Sequence, residues 1–515
     1  MSRNPVSKAC DACRRRKVRC SLRQPCAACQ RARLQCTFLT ARLKKGRKGD
    51  TAKVLNELHH SQAGSYSHQL PTSPFPFQGL DYTSPAFSLD VQTSPQSLDI
   101  LPSKSRFSRS SDLLPSRVVE LCAELFFSQL GSTVPIITPE SIRQEAAAAL
   151  NEDTGEDSYC LISAFCAFVI LQTGGPDPNL MARSGVGQTS AAYGQHLLKE
   201  ALSARSYLDL LAAPTRQTVL LTFFIYGCHS ALGKHRQAWY FLREATTLYT
   251  SATLDLGDEI VDEVFSRLYW LLLISERSHA IRRRRPITLQ ITPQSPTIDE
   301  AVQGHTCLSG FRYLADLFRP FDDNFIALWN RASTNCDSIS LVQLEEDLRT
   351  TLPTSLDIVE TQLANIRVSQ QWLRVIVWQL CTMMGFLSSE AAYESLTFRY
   401  PLKIAQDLAI STWKLSLHSM QMHGIGLTEK VFDIACTLID VMSCMPSADV
   451  KSKGFEIGPE DNLKHFCHLI SQLPGGRHKY LPLLVTKVDQ TLPNMLTSIA
   501  RHLHLPEERE AEART

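Results

Sequence analysis

From Leu113 onward the apolar positions recur with a helical period. Ala238, Phe241, Leu242, Ala245, Leu248 and Tyr249 form one stripe. Val261, Val264, Phe265, Leu268 and Leu272 form a second, and Leu481, Leu484, Val485, Val488 and Leu492 a third. Spacings of three and four place each set on one face of an α-helix. Pro493 suits the first turn of a further helix. The stretch Val219–Tyr226 is apolar on every side, which predicts a helix buried at the centre of a bundle. This run and Leu161–Leu171 are the longest apolar segments, and both fall well short of the roughly 20 residues of a membrane span. No Asn-Gly or Asp-Gly pair stands between alternating apolar residues, so no strand is required. Residues 113–515 are therefore expected to form a large all-α effector region.

Upstream the pattern breaks. Residues 61–112 are rich in Ser, Pro, Thr and Gln, with few aliphatic side chains, a composition that predicts a disordered linker. Residues 51–60 predict a short helix, a dimerisation element at most, since Val54, Leu55 and Leu58 share a face. It cannot grow into a coiled coil. With Leu55 at a d position the next d is Gln62, and Pro71 and Pro74 close the continuation. Helices this short are marginal alone in water. Residues 1–70 are accordingly expected to be monomeric, with pairing left to the helical body or to DNA.

Charge separates the remaining segment from the rest. The chain as a whole carries +2, but residues 1–50 hold 15 Lys and Arg against Asp11 and Asp50 alone. A basic head on an acidic body is the footprint of a polyanion partner held at one end.

The sixteen cysteines divide at the same place. Ten are scattered through apolar segments from Cys122 onward, as small core residues of a protein in a reducing compartment. That compartment is expected because Met1–Pro5 leads straight into the basic cluster, with no apolar leader. The other six read Cys10-x2-Cys13-x6-Cys20-x5-Cys26-x2-Cys29-x6-Cys36, two copies of one unit. Zinc favours tetrahedral thiolate coordination, and a C-x2-C pair at a helix start offers two sulfurs to one ion. Six thiolates are two short of two separate sites, so two zinc ions can each reach four ligands only by sharing two sulfurs. The head has almost no apolar core, and metal must supply its folding energy.

This segment, with its run Lys8-Ala-Cys-Asp-Ala-Cys-Arg-Arg-Arg-Lys17-Val-Arg-Cys20, resembles the DNA-binding domain of the fungal binuclear zinc cluster transcription factors. The resemblance implies two short helices around a two-zinc cluster, with Cys10 and Cys26 as bridging ligands. It implies that a helix beginning near Asp11 enters the major groove of double-stranded DNA and reads a CGG-type triplet. Lys17 would then be the leading base contact and Arg16 its neighbour. Lys and Arg donors suit guanine O6 and N7. Arg14, Arg15 and Arg19 are expected on phosphates or beside the negatively charged cluster, as are Arg31 and Arg33. The linker residues Arg42, Lys44, Lys45, Arg47 and Lys48 can track the backbone and also read as a nuclear localisation signal.

The body is similar to the all-helical middle domain of the same regulators over about residues 113–300. The likeness rests on Arg236–Ala245, Phe265–Trp270 and Ser275–Pro286. In the family that region regulates activity. The run Arg282–Arg285 reads either as a second nuclear signal or as charge favoured at a helix C-terminus. No metalloprotease, nucleophile-elbow or phosphate-loop motif is present, and Gly185–Ser190 lacks the phosphate-loop lysine. The expectation is a non-enzymatic nuclear regulator of RNA polymerase II genes that works with the transcription machinery or co-regulators. The linker Leu43–Lys48, similar to that of sugar-pathway regulators, points to carbon catabolism. The alternatives are control of a secondary-metabolite gene cluster and, in another class, a zinc-dependent protein-interaction module.

Overall fold

The computed structural model describes residues 9–21, 23–37, 109, 113–151, 155–210, 214–256, 263–298, 306–353, 356–446 and 457–503. These fall into two units, divided between Leu98 and Asp99. The expected helix at 51–60 lies outside the described residues, as does the 61–112 linker apart from Arg109.

The head has two short helices, α1 (Asp11–Arg16) and α2 (Ala27–Arg31). Its interior is sulfur. Besides five cysteines, only Ala12 and Leu34 are buried among its described residues.

The body opens with α3 (Ser116–Leu125), which runs into a π-turn at Phe126–Leu130. There follow α4 (Pro139–Ala149), α5 (Glu156–Thr173), α6 (Pro178–Arg183), α7 (Ser190–Arg205), α8 (Arg216–Ala231), α9 (His235–Leu256) and α10 (Glu263–Arg283). The second half comprises α11 (Thr306–Phe318), α12 (Asp323–Trp329), α13 (Ser338–Thr350), α14 (Glu360–Met384), α15 (Tyr400–Trp413) and α16 (Leu417–Gln421). It ends with α17 (Gly424–Ser443), α18 (Pro459–Gln472), α19 (Leu481–Thr491) and α20 (Pro493–His502). No strand occurs among the described residues, and no helix there is long and apolar enough to cross a membrane.

The predicted stripes are the buried faces. Ala238, Phe241, Leu242, Ala245, Leu248 and Tyr249 on α9 are all buried, as are Phe265, Leu268 and Leu272 on α10, where Val264 is half-buried and the predicted Val261 lies outside the described residues. On α19 only Leu484 and Val488 of the stripe are fully buried after Leu481, and Pro493 opens α20 as expected. The all-apolar segment of α8 is buried from Val219 through Ile225. The N-terminal half packs around α5, whose residues Ser158 through Ile170 are all buried, with α4, α7 and α8 against it. The C-terminal half packs around α14 and α17. Contacts of α10 with α11, and of α8 with α17, join the halves.

Two arginines fully inside this core are held by hydrogen bonds. Arg277 donates from Nη1 to the Phe318 and Arg319 carbonyls at 2.8 Å each. Arg374, 1 % exposed, donates to Glu345 and Gln371 at 2.8 and 2.7 Å and to Asp407 at 2.9 Å. The arginine run is absorbed in the same way. Arg282 and Arg283 close the last turn of α10 and both pair with Glu429 on α17. Arg284 turns out of the helix at φ 51° and lies over the Trp329 ring. Arg282 and Arg283 thus have a structural role, while Arg284 and Arg285 are exposed.

Candidate metal centre and nucleic-acid interface

The two halves of the head repeat each other atom for atom at an offset of sixteen residues. The Cys13 N–H donates to Cys10 Sγ at 3.4 Å, and the Cys29 N–H to Cys26 Sγ at 3.4 Å. The Cys10 N–H points to Cys20 Sγ at 3.5 Å, and the Cys26 N–H to Cys36 Sγ at 3.3 Å. The Val18 N–H reaches the Cys13 carbonyl, and the Leu34 N–H the Cys29 carbonyl. Lys17 and Arg33, the equivalent residues between these bonds, both adopt a left-handed conformation, at φ 55° and 50°. Beyond each short helix one long basic residue thus bends the chain back so that the third cysteine faces the first.

All six cysteines are free, and their sulfurs converge. Cys10 Sγ stands 3.7 Å from Cys26 Sγ and 3.6 Å from Cys29 Sγ. Cys13 Sγ stands 3.4 Å from Cys26 Sγ and 4.0 Å from Cys29 Sγ. Two quartets have all their sulfurs within 4.8 Å of one another, Cys10, Cys13, Cys20 and Cys26, and Cys10, Cys26, Cys29 and Cys36. The residues common to both are Cys10 and Cys26. A zinc–sulfur bond of about 2.3 Å in tetrahedral geometry spaces sulfurs by about 3.8 Å, so each quartet matches one zinc ion.

Packing also sets the charge state of these thiols. Burial, with the neighbouring thiols, pushes Cys10 and Cys13 up, and Cys29 up to about 12. Cys26 is also raised by burial, but the Cys29 N–H and the adjacent thiols outweigh this and bring it down to about 6. Packed thiols cannot all ionise against each other, and divalent cations among them remove the obstacle, because a coordinated thiol is deprotonated outright.

Around the sulfurs, polar side chains fasten the loop ends. Arg16 Nη1 donates to the Ala28 carbonyl at 3.5 Å and so ties α1 to α2. Gln24 Nε2 donates to the Cys36 carbonyl at 2.8 Å. Thr37 Oγ1 donates to Asp11 at 3.0 Å, while the Asp11 N–H donates to the Thr37 carbonyl at 2.7 Å, closing the head's start on its end. The sequence pattern singles out none of these three ties, because each joins residues in different segments. Arg15, Lys17, Arg19, Arg31 and Arg33 are exposed. Arg14 lies on α1. Arg42, Lys44, Lys45, Arg47 and Lys48 lie outside the described residues.

Comparison with known proteins matches residues 8–46 to the fungal Zn(2)-Cys(6) binuclear cluster domain. Over most of its length, the chain is 22% identical to the maltose fermentation regulatory protein MAL13 of Saccharomyces cerevisiae, over 85% of this chain and 84% of that protein. It is 23% identical to the respiratory transcription factor ZNF1 of the same yeast, over 86% of each. It is 25% identical to the "Probable sucrose utilization protein SUC1" of Candida albicans, over 53% of this chain, and spans only about half (54%) of that relative. The helical body is consistent with the middle domain of such regulators. Residues 8–46 are therefore a fungal Zn(2)-Cys(6) binuclear cluster domain that holds two zinc ions, and the chain that carries it is a DNA-binding transcription regulator, similar over most of its length to fungal regulators.

Proposed function

We propose that the protein binds CGG-type triplets in nuclear DNA and thereby regulates genes of carbon-source use. The observation that carries the DNA reading is the placement of Lys17. It is exposed at the end of α1, beyond the last helical residue, on a backbone bent by the cluster. A long donor so placed can reach guanine O6 and N7 when α1 lies in the major groove. In this reading Cys10 and Cys26 bridge the two zinc ions and Cys13, Cys20, Cys29 and Cys36 are terminal ligands. Arg14, Arg15 and Arg19 neutralise phosphates. Arg16, tied at Nη1 to Ala28, is the neighbour of Lys17 at the bases. Arg42, Lys44, Lys45, Arg47 and Lys48 follow the backbone and serve nuclear import.

The pathway rests on the names of the relatives. Maltose fermentation, sucrose utilization and respiration are all matters of carbon source, which favours catabolic control over a secondary-metabolite cluster. No enzymatic role is proposed. Pairing of two copies, where the target carries two triplets, falls to the helical body. Chromatin occupancy of the full-length protein tests the proposal: peaks centred on CGG-type triplets upstream of carbohydrate-utilization genes are expected. Peaks lacking any such triplet would remove the base-reading role.

A further inference from the structure

Between the two halves of the body lies a cavity of about 210 Å³. Helices α5, α8 and α10 contribute Phe168, Tyr226, Ser275 and Ser278, and α14 and α17 contribute Asn365 and Lys430. None of the described residues lining it is an aspartate or a glutamate.

Lys430 is the exceptional member. It is 8 % exposed, and among the described residues no carboxylate lies within ion-pair distance of it. Its ammonium donates to Ser369 Oγ at 2.7 Å, and Ser369 Oγ stands 3.2 Å from Asn365 Oδ1. The rings of Phe318 and Trp372 each lie 5.6 Å from Nζ. The acids nearby are engaged elsewhere. Glu429 is held by Arg282, Arg283 and Tyr480, and Asp433 accepts from Trp372 Nε1 at 3.0 Å. Ring faces and a hydroxyl hold a buried cation but do not neutralise it, and a buried charge ordinarily has a partner of opposite sign. Burial, reinforced by Arg282, accordingly pulls the ammonium down to about 7.

We propose that this cavity binds a small organic carboxylate, its anionic end held by Lys430 and Asn365 and its body lodged between Phe168 and the hydroxyls of Tyr226, Ser275 and Ser278. A mostly apolar pocket with a few convergent polar groups is the usual form of a small-molecule site. A cavity of about 150 Å³ accepts benzene, so this one suits a body of roughly six to ten non-hydrogen atoms. The missing counter-charge selects an anion over a neutral compound of equal size. The site joins helices from both halves of the body, so occupancy would brace one half against the other. This inference is independent of the DNA reading above.

Thermal unfolding of the full-length, zinc-loaded protein with matched acid and amide pairs tests it, using lactate with lactamide and benzoate with benzamide, and glucose as a neutral polyol. At least one acid at millimolar concentration is expected to raise the melting temperature by about 2 °C or more, while its amide and glucose leave it unchanged. The shift is expected to vanish in Lys430→Met and in Ser278→Leu. The second variant fills the cavity and leaves the cation in place, so it carries the test if the first does not fold. Absence of a shift with both acids overturns the proposal. Equal stabilisation by acid and amide, or by glucose, removes the charge selection on which it stands. An acid shift that survives Ser278→Leu places the binding elsewhere.

Discussion

The head and the body solve the same problem by opposite means. In the head, two short helices surround six sulfurs, with Ala12 and Leu34 the only other buried residues among those described. So little apolar surface cannot offset the conformational entropy of the ordered chain, and metal–thiolate bonds take its place. In the body, whole helices such as α5 and the centre of α8 disappear into an apolar core, and Arg374 is folded into a buried pair with Glu345. The head can therefore be switched off by removing a ligand. The body can be broken only by damaging its packing or its internal ion pairs.

Chelation should separate the two most sharply. Structural zinc contributes on the order of 10–16 kcal/mol in small domains. A strong chelator is therefore expected to unfold residues 9–37 and abolish DNA binding, while the helical signal and melting temperature of the body stay unchanged. Titration should release two zinc ions per chain. One ion per chain, or a body that melts with the head, would break the contrast.

Damage to an ion pair should do the reverse. In Arg374→Ala the buried Glu345 loses its cation, at a cost of about 3–5 kcal/mol to the body, with zinc content untouched. Equilibrium denaturation followed by circular dichroism, with zinc assayed in parallel, reads both.

Acid acts on the body through buried histidines. Burial lowers His229, His279, His423 and His465 to about 4 each. With folded values below the ordinary 6.5, the unfolded chain takes up more protons between these limits. The stability these neutral rings allow is complete above pH 6.5 and declines as pH falls toward 4. The His423 ring N–H donates to the Thr361 carbonyl at 2.7 Å. His423→Gln should flatten the dependence of melting temperature on pH over that window.

The smallest effects are those on DNA. Lys17→Ala is expected to reduce discrimination between CGG-containing and scrambled duplexes by about 1–3 kcal/mol, with the fold intact. Equal losses on both duplexes would count against Lys17 as the reader. Lys44→Ala should weaken binding to all sequences alike and lower the slope of log affinity against log salt by about one. Residues 1–70 should sediment as a monomer. A tight dimer without DNA would show that the segment at 51–60 pairs on its own.

Much of this was legible in the chain. The two copies of Cys-x2-Cys-x6-Cys specify a shared two-zinc cluster by counting ligands, and Cys10 and Cys26, the bridging pair that the resemblance implies, are the two cysteines common to both sulfur quartets. The helical stripes on α9 and α10 are the buried faces, because a period of 3.6 residues leaves an amphipathic helix one way to hide its apolar side. Such local signals survive in sequence because spacing alone generates them. Contacts between distant residues do not. The tie from Arg16 to Ala28, the pairing of Arg282 and Arg283 with Glu429, and the unpaired Lys430 beside a cavity are invisible in the chain. Arg282 and Lys430 look alike there, a cation within a helix, and only the packing of α10 against α17 gives one a carboxylate and leaves the other without. Sequence thus determined which elements form and which metal the head requires. Tertiary structure decided which charges meet, because ion pairing depends on approach in space and carries no period along the chain.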